Sequence, residues 1–412
     1  MSWEKKTLDQ LGSVSRGKSK HRPRNDPKLF GGQYPFIQTA DVKNANFYIT
    51  EYSDTYNETG LAQSKLWDVG TLCITIAANI ADTGILAIPA CFPDSIIGFI
   101  PYGGISDVRF VKYCFDMLQQ DCKQISQGTA QDNLSWQKLS TIEFPAPPIE
   151  TQRRIADILS AYDDLIENNR KQIKLLEEAA QRLYKEWFVD LRFPGHEHTK
   201  IVDGVPEGWE RKTVAECLIF HGNGGWGKEA PIGKHEYPGK VIRGTDIEEI
   251  KCGHFKDIPM RYHTEGDIKK RMLHIHDIVF ELSNGNINNI GRSLFIDNFV
   301  LQNCGNNTIC ASFCKLLRPA NPLIALTLYL EIQDMQLSGR MLPYKKNGAN
   351  GINNFAFEEF LAHSLLVPKN EKLVEPFVRI KTKVSTIQGQ LALLEEARDR
   401  LLPKLMSGEI EV

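Results

Sequence analysis

No run of apolar residues in this chain is long enough to cross a bilayer and no secretory pattern opens it, which points to a protein working in the cytoplasm. Its nine cysteines include no Cys-x-x-Cys pair and fall in no even framework, an argument against a disulfide scaffold and for reduced thiols. Neither sign of charge dominates: the formal net charge is −2 and the pI about 6.6, so total charge neither names nor excludes a polyanionic partner. With 24% charged and 42% hydrophobic residues the composition is that of a globular protein, and 412 residues leave room for two or three domains.

Motifs for catalysis are also missing. "GNGGWGKE" (Gly222 to Glu229) fits G-x-x-x-x-G-K, but Glu229 stands where a phosphate loop needs Ser or Thr to hold magnesium. "FHGNG" (Phe220 to Gly224) imitates the glycine turn of an S-adenosylmethionine site, yet no Asn-Pro-Pro or Asp-Pro-Pro followed by an aromatic residue occurs to receive a flipped base. Asp246, Glu249 and Lys251 have a loose nuclease-like spacing, but only Asp246 has a counterpart in the repeat described below, Asp41, and both aspartates read as turn residues. Cys304, Cys310, Cys314, His274 and His276 lack zinc-site spacing and read as buried thiols and ordinary histidines.

What the chain does have is a helical seam written twice. Ile155, Leu159, Tyr162, Ile166, Asn169, Ile173, Leu176, Ala180, Leu183 and Trp187 alternate at spacings of four and three. Leu373, Phe377, Ile380, Val384, Ile387, Leu391, Leu394, Arg398, Leu401 and Leu405 do so again, with Arg398 interrupting the apolar series. This is the period of a coiled-coil seam, whose a and d side chains face a partner helix, and the amide of Asn169 either fixes register there or lies where the seam is wet. Pro148 and Glu150 mark the start of the first helix and Pro376 that of the second.

The duplication extends beyond the helices. "WEKKTL" (Trp3 to Leu8) returns as "WERKTV" (Trp209 to Val214), "FIQTADV" (Phe36 to Val42) as "VIRGTDI" (Val241 to Ile247), and "VGTLCI" (Val69 to Ile74) as "IHDIVF" (Ile275 to Phe280). The order is domain, helix, domain, helix. The expected boundaries are 1–148, a helix over 149–188, a linker over 189–208, a second domain over 209–368, and a helix with tail over 369–412. Runs such as "PFIQTADV", "TLCITIA", "ILAIPA" and "DIVFELS" predict strands, with Val108 to Gln120 and Pro322 to Asp334 as the domain helices. The fold class is therefore α+β: two pseudo-symmetric, mostly β domains separated by two long helices that pair as an antiparallel coiled coil. A helix of about 33 residues spans roughly 50 Å, a length comparable to one turn of B-DNA, and so suits a ruler between two readers of one duplex.

Positive charge collects on loops. Arg16, Lys18, Lys20, Arg22, Arg24 and Lys28 form a basic loop in the first domain, and Lys228, Lys234, His235 and Lys240 surround glycines at the matching place in the second. Lys269, Lys270 and Arg271 add to the second. Such loops suit phosphate contact, while Arg or Lys reads guanine and Asn or Gln reads adenine. Candidate readers in the first domain are Gln38, Thr39 and an amide-rich turn with Gln127, Thr129, Gln131 and Asn133. In the second they are Arg243, Asn284, Asn286 and Asn288, with Tyr344, Lys345, Lys346, Asn347 and Asn350 in the matching turn. The asparagines beside glycine are equally at home as turn residues. Tyr184, Trp187 and Phe188, at the exit of the first helix, are candidates for partner docking or for plain packing.

Over essentially its full length the chain resembles the specificity subunit of type I restriction-modification systems. The resemblance rests on "FPAPPIETQRRIADIL", on "IENNRKQIKLLEEAAQRLYKEWFVDLRFPG", on "VPEGWE" and on the closing "LLEEARDRLLPKLMSGEI". The second helix departs from it by opening with "PKNEKLVEPF" in place of a Gln-Arg motif. The resemblance implies two target-recognition domains that each read half of a split double-stranded DNA sequence, in a prokaryotic cell. It also implies that the chain is not catalytic: methyltransferase subunits, two of them, bring S-adenosylmethionine, and restriction motor-nuclease subunits bring ATP and magnesium. A reading from another class is a coiled-coil scaffold that joins protein partners without DNA.

Overall fold

The computed structural model describes residues 3–76, 82–125, 136–348 and 351–412. It divides into two compact units, Met1–Asn168 with Leu394–Val412 and Asn169–Leu393, so that each holds one globular domain and a stretch of both long helices. The helices run over Ile149–Tyr184, continued by a π-helical turn Lys185–Val189, and over Glu375–Ser407.

Within each unit the start of one helix meets the end of the other. In the first unit Ile155 and Leu159 share a core with Leu402 and Leu405. In the second, Phe377 lies edge-on to Tyr184, Trp187 and Phe188. The pairing is antiparallel, as the internal symmetry of the seams predicts. Ile166, Asn169, Ile173, Val384, Ile387 and Leu391 are buried, while Tyr162, Leu176, Ile380 and Leu394 are half-buried. Arg398 does not break the seam: its guanidinium lies 2.7 Å from the buried Asp163 carboxylate, which also accepts the Tyr113 hydroxyl. A charge in the seam is tolerated because it is paired and hydrogen-bonded there. At the end of this helix the buried position is Leu402 and Leu401 is only half-buried, because the helix here also joins the domain core through Leu405 and Met406.

The two domains share one strand plan. In the first, Gly12–Arg16 pairs with Ile96–Pro101, which pairs with Leu72–Thr75, then Thr83–Leu86. In the second, Leu218–Asn223, Cys314–Pro319, Ile278–Glu281 and Ser293–Phe295 follow the same order. Both plans include a short parallel pairing at a matching place, Phe36 with Cys91 and Val241–Ile242 with Ile309–Cys310, and the first adds Tyr48–Ile49 on Ile85–Leu86. Each domain is also closed by a clasp, Lys5–Thr7 on Glu143–Pro145 and Trp209–Thr213 on Ser364–Pro368. The clasp is what the repeated "WEKKTL" and "WERKTV" encode. The domain helices are Val108–Ile125 and Pro322–Ser338, at the predicted places.

One expectation needs correction, and two readings are sharpened. The strand predicted over "PFIQTADV" ends at Phe36, and Thr39–Asn44 is helical because Asp41 accepts the Gln38 N–H and caps it. The same happens in the second domain, where Asp246 accepts the Arg243 N–H before the helix Asp246–Lys251. The segment read as a linker contains a hairpin, Ile201–Val202 on Val205–Pro206, and Phe193 packs against Trp209. Finally, of the two readings given for Tyr184 and Phe188 the packing one holds: both are buried with Trp209, Leu326 and Leu330, while Trp187 is half-buried beside them.

Candidate nucleic-acid interface

Each domain turns out of its first sheet strand through a glycine pressed against a neighbouring turn. The Gly17 N–H donates to the Ile96 carbonyl at 2.9 Å and the Gly224 N–H to the Cys314 carbonyl at 3.0 Å. A Cβ at Gly17 would fall 2.3 Å from the Phe92 carbonyl oxygen, and one at Gly224 2.2 Å from the oxygens of Cys310 and Ala311, so only glycine lets the backbones approach. The basic loop of the first domain and the glycine-rich loop of the second both start from this seat.

In the first domain Lys18, Lys20, Arg22 and Arg24 are all exposed. Arg24 pairs with Asp94 at 2.7 Å, Arg22 lies 3.9 Å from the same carboxylate and donates to the Ser19 and His21 carbonyls, and His21 contacts Asp26 at 2.9 Å. The loop is thus fastened while its lysines project into solvent. Gln38 is exposed and its amide donates to Asp54; Thr39 is half-buried beside it. Gln127, Thr129, Gln131 and Asn133 lie outside the described residues.

In the second domain Lys228 is exposed and forms a backbone bridge with Tyr262. Trp226, two residues earlier, stacks under the Arg261 guanidinium at 4.9 Å, and Arg261 pairs with Glu229 at 3.3 Å. No helix follows Lys228, so this loop also lacks the strand-loop-helix setting of a phosphate-binding loop. Arg243, predicted to read a base, is held against Asp246 at 2.6 Å and donates to the Asp257 carbonyl; the Asp246 hydrogen bond raises its pKa further.

The structure brings together stretches far apart in sequence, 284–289 with 344–348 and 351–354. Ser283–Asn284, Asn353–Phe355 and Lys345–Lys346 form one small sheet, and the Lys345 ammonium reaches the Asn288 carbonyl at 3.4 Å. Asn284 donates to the buried carboxylate of Glu281, itself paired with Arg292 at 2.8 Å, and accepts the Asn286 N–H. Asn286 in turn accepts the Asn288 N–H. Asn284 and Asn286 therefore spend their carbonyls on turn geometry, whereas Asn288 and Asn347 are exposed. Tyr344 packs on Phe355 and Phe360, Lys346 pairs with Glu359 at 3.2 Å, and burial lowers the pKa of Lys345. Asn350 lies outside the described residues.

Trp226, Arg261 and Phe313, the last 60% exposed, were not found by pattern reading. An aromatic residue between glycines, or at the tip of a three-residue turn, was the available signal. Burial pushes the Cys304 and Cys310 thiols up to about 12 and raises the Cys314 thiol well above its ordinary value, the protonated state of packed thiols. Among the described residues no group of three or more His, Cys, Asp or Glu side chains is placed to hold a metal ion, and no described helix is long and apolar enough to cross a membrane.

Comparison with known proteins bears on this surface. Residues 1–178 match the family model described as the type I restriction modification DNA specificity domain. The whole chain aligns at 26% identity with 94% of the type I restriction enzyme MjaIX specificity subunit of Methanocaldococcus jannaschii. About half of it, 46%, aligns at 26% identity with 48% of the EcoR124I/EcoR124II specificity subunit of Escherichia coli. Among solved structures, the type I restriction-modification S subunit of M. genitalium shares the fold, with a TM-score of 0.56 at 16% identity over 98% of this chain and 96% of that one.

Proposed function

We propose, from the premise that this chain belongs to the specificity-subunit family of type I restriction-modification systems, that each of its globular domains reads one half of a bipartite double-stranded DNA target. The observation that carries this reading is the glycine seat built twice, Gly17 and Gly224, from which loops of different composition emerge. A common frame with different side chains is what two different half-sites require. Exposed Lys18, Lys20 and Lys228 supply phosphate contacts, and exposed Asn288 and Asn347 are free to meet base edges.

The helices set the unspecified gap between the half-sites and dock methyltransferase subunits. Leu165, Leu175 and Leu393 support the docking role, because they are 50%, 63% and 68% exposed outside the seam. The chain itself is not catalytic. Two methyltransferase subunits carry S-adenosylmethionine, motor-nuclease subunits carry ATP and magnesium, and the assembly works in a prokaryotic cytoplasm.

The test is enrichment of a randomised duplex pool by the chain assembled with its methyltransferase subunits. Two conserved half-sites with a fixed gap are expected, and lengthening both helices by one heptad in phase should change the gap and leave the half-sites. A complex that assembles with protein partners and enriches no duplex would favour the scaffold reading.

A further inference from the structure

We propose that Phe313 is an apolar reader of the second half-site, packing its ring against the 5-methyl group of a thymine in the major groove. This rests on the DNA-reading function proposed above. Phe313 is 60% exposed on the turn between the strands Ile309–Cys310 and Cys314–Pro319. That turn is held from every side. Gly224 donates to Cys314 at 3.0 Å, Gly225 to Cys310 at 2.9 Å, Cys314 to Ala311 at 2.8 Å, and the Phe313 carbonyl accepts the Leu282 and Ser283 N–H groups at 2.9 and 3.3 Å. A large apolar side chain on so constrained a backbone is presented to solvent at a fixed place.

Its neighbours indicate what it meets. Gly225 leads directly into Trp226 and exposed Lys228, and Ser283 leads into the asparagine turn that ends at exposed Asn288. Phe313 thus stands between a cation-bearing loop and an amide-bearing one, the setting of a nucleic-acid surface and not of an apolar protein interface. A phenyl ring has no hydrogen bond to offer, and the apolar group on a base edge in the major groove is the thymine methyl. The corresponding turn of the first domain carries Pro93, Asp94 and Ser95, with Asp94 holding Arg22 and Arg24. The frame therefore does not need Phe313, which makes it a fitting of the second domain alone.

The experiment uses the full chain assembled with its methyltransferase subunits and a duplex enriched from a random pool by that complex. Each thymine of the second half-site is replaced in turn by uracil, which removes only the methyl. Wild type should lose about fourfold in affinity at one such position, the worth of one buried methyl. Phe313→Ala should bind the thymine duplex weakly by a similar factor and be indifferent to that uracil, with Phe313→Leu between them and assembly unchanged. Equal binding by Phe313→Ala, a retained uracil penalty, a second half-site without thymine, or a defect confined to subunit assembly would each overturn the proposal. Failure of wild type to enrich any duplex would instead sink the DNA-reading function itself.

Discussion

The first domain fastens its basic loop with charge, and the second leaves the same place apolar. In the first, Asp94 on the turn facing Gly17 binds Arg24 and approaches Arg22. In the second, the turn facing Gly224 carries exposed Phe313, and Trp226 of the loop lies under Arg261 of the strand Met260–His263. The main-chain hydrogen bonds beneath are alike. A frame made of backbone groups places no demand on the side chains above it, so the two domains can diverge at the surface without losing the fold.

A second contrast concerns how each domain grips the helices. In the first unit the buried carboxylate belongs to the long helix: Asp163 accepts from Tyr113 and Arg398. In the second it belongs to the domain: Glu331 accepts from Tyr184 of the long helix, from His363 and from Arg340. The largest effect should come from emptying the richer site. Glu331→Ala leaves Tyr184 and the His363 Nε2 without their acceptor, while Arg340 keeps Asp334, and should cost about 4 kcal/mol, against about 3 kcal/mol for Asp163→Ala, read by chemical unfolding. Equal small losses would mean that neither carboxylate grips a helix.

Acid sharpens the same contrast. Burial would raise the Glu331 carboxyl, but the hydrogen bonds from His363 and Arg340 overcome it and hold the pKa at about 2, below the ordinary glutamate value of 4.5. A depressed folded pKa means stability present above the ordinary value and lost as pH falls from about 4.5 toward 2, roughly 3 kcal/mol in all. Glu331→Gln should flatten that part of the acid-unfolding curve, and an unchanged curve would show that other carboxylates govern it.

Next in size is the seat itself. Gly17→Ala and Gly224→Ala both drive a methyl into backbone oxygen, and each should destabilise its own unit by about 2–3 kcal/mol. The comparison breaks if one is tolerated while the other is not.

The seams, the repeat and the capping aspartates were legible because each depends on spacings of a few residues, which a sequence displays directly. Asp41 and Asp246 announced their turns three residues from the N–H they accept. What stayed hidden depends on distant partners. Arg398 looked like a defect because Asp163 lies 235 positions away. Tyr184 and Phe188 looked available because the residues that cover them, Leu326, Leu330 and Trp209, belong to another element. Asn284 and Arg243 looked like base readers, yet each meets a carboxylate, Glu281 or Asp246, that claims its hydrogen bonds. Residue type suggests what a side chain can bind, while tertiary structure decides whether it is already bound. The seam amide offers a mild check: Asn169 is buried, and Asn169→Leu should keep the protein folded and change stability by about 1 kcal/mol in the stabilising direction. A large loss by thermal unfolding would show that the amide is part of a required network.

The smallest effect on stability, and the most telling for function, is expected at Asp94. Its ion pairs are exposed, so Asp94→Ala should alter stability by only about 0.5 kcal/mol. On DNA the consequences are larger and of opposite kinds. Removing a negative charge beside Arg22 and Arg24 strengthens attraction to phosphate, so affinity for arbitrary duplex should rise at low salt and fall more steeply as salt is added. On the proposed DNA-reading function, releasing the two arginines also loosens a loop that would position the first domain on its half-site, so discrimination between matched and mismatched first half-sites should shrink. Phe313→Ala should do the reverse, weakening the matched duplex while leaving the salt slope alone. If Asp94→Ala left both slope and discrimination untouched, the basic loop would not face DNA. The contrast between a charged and an apolar turn would then be a matter of packing only.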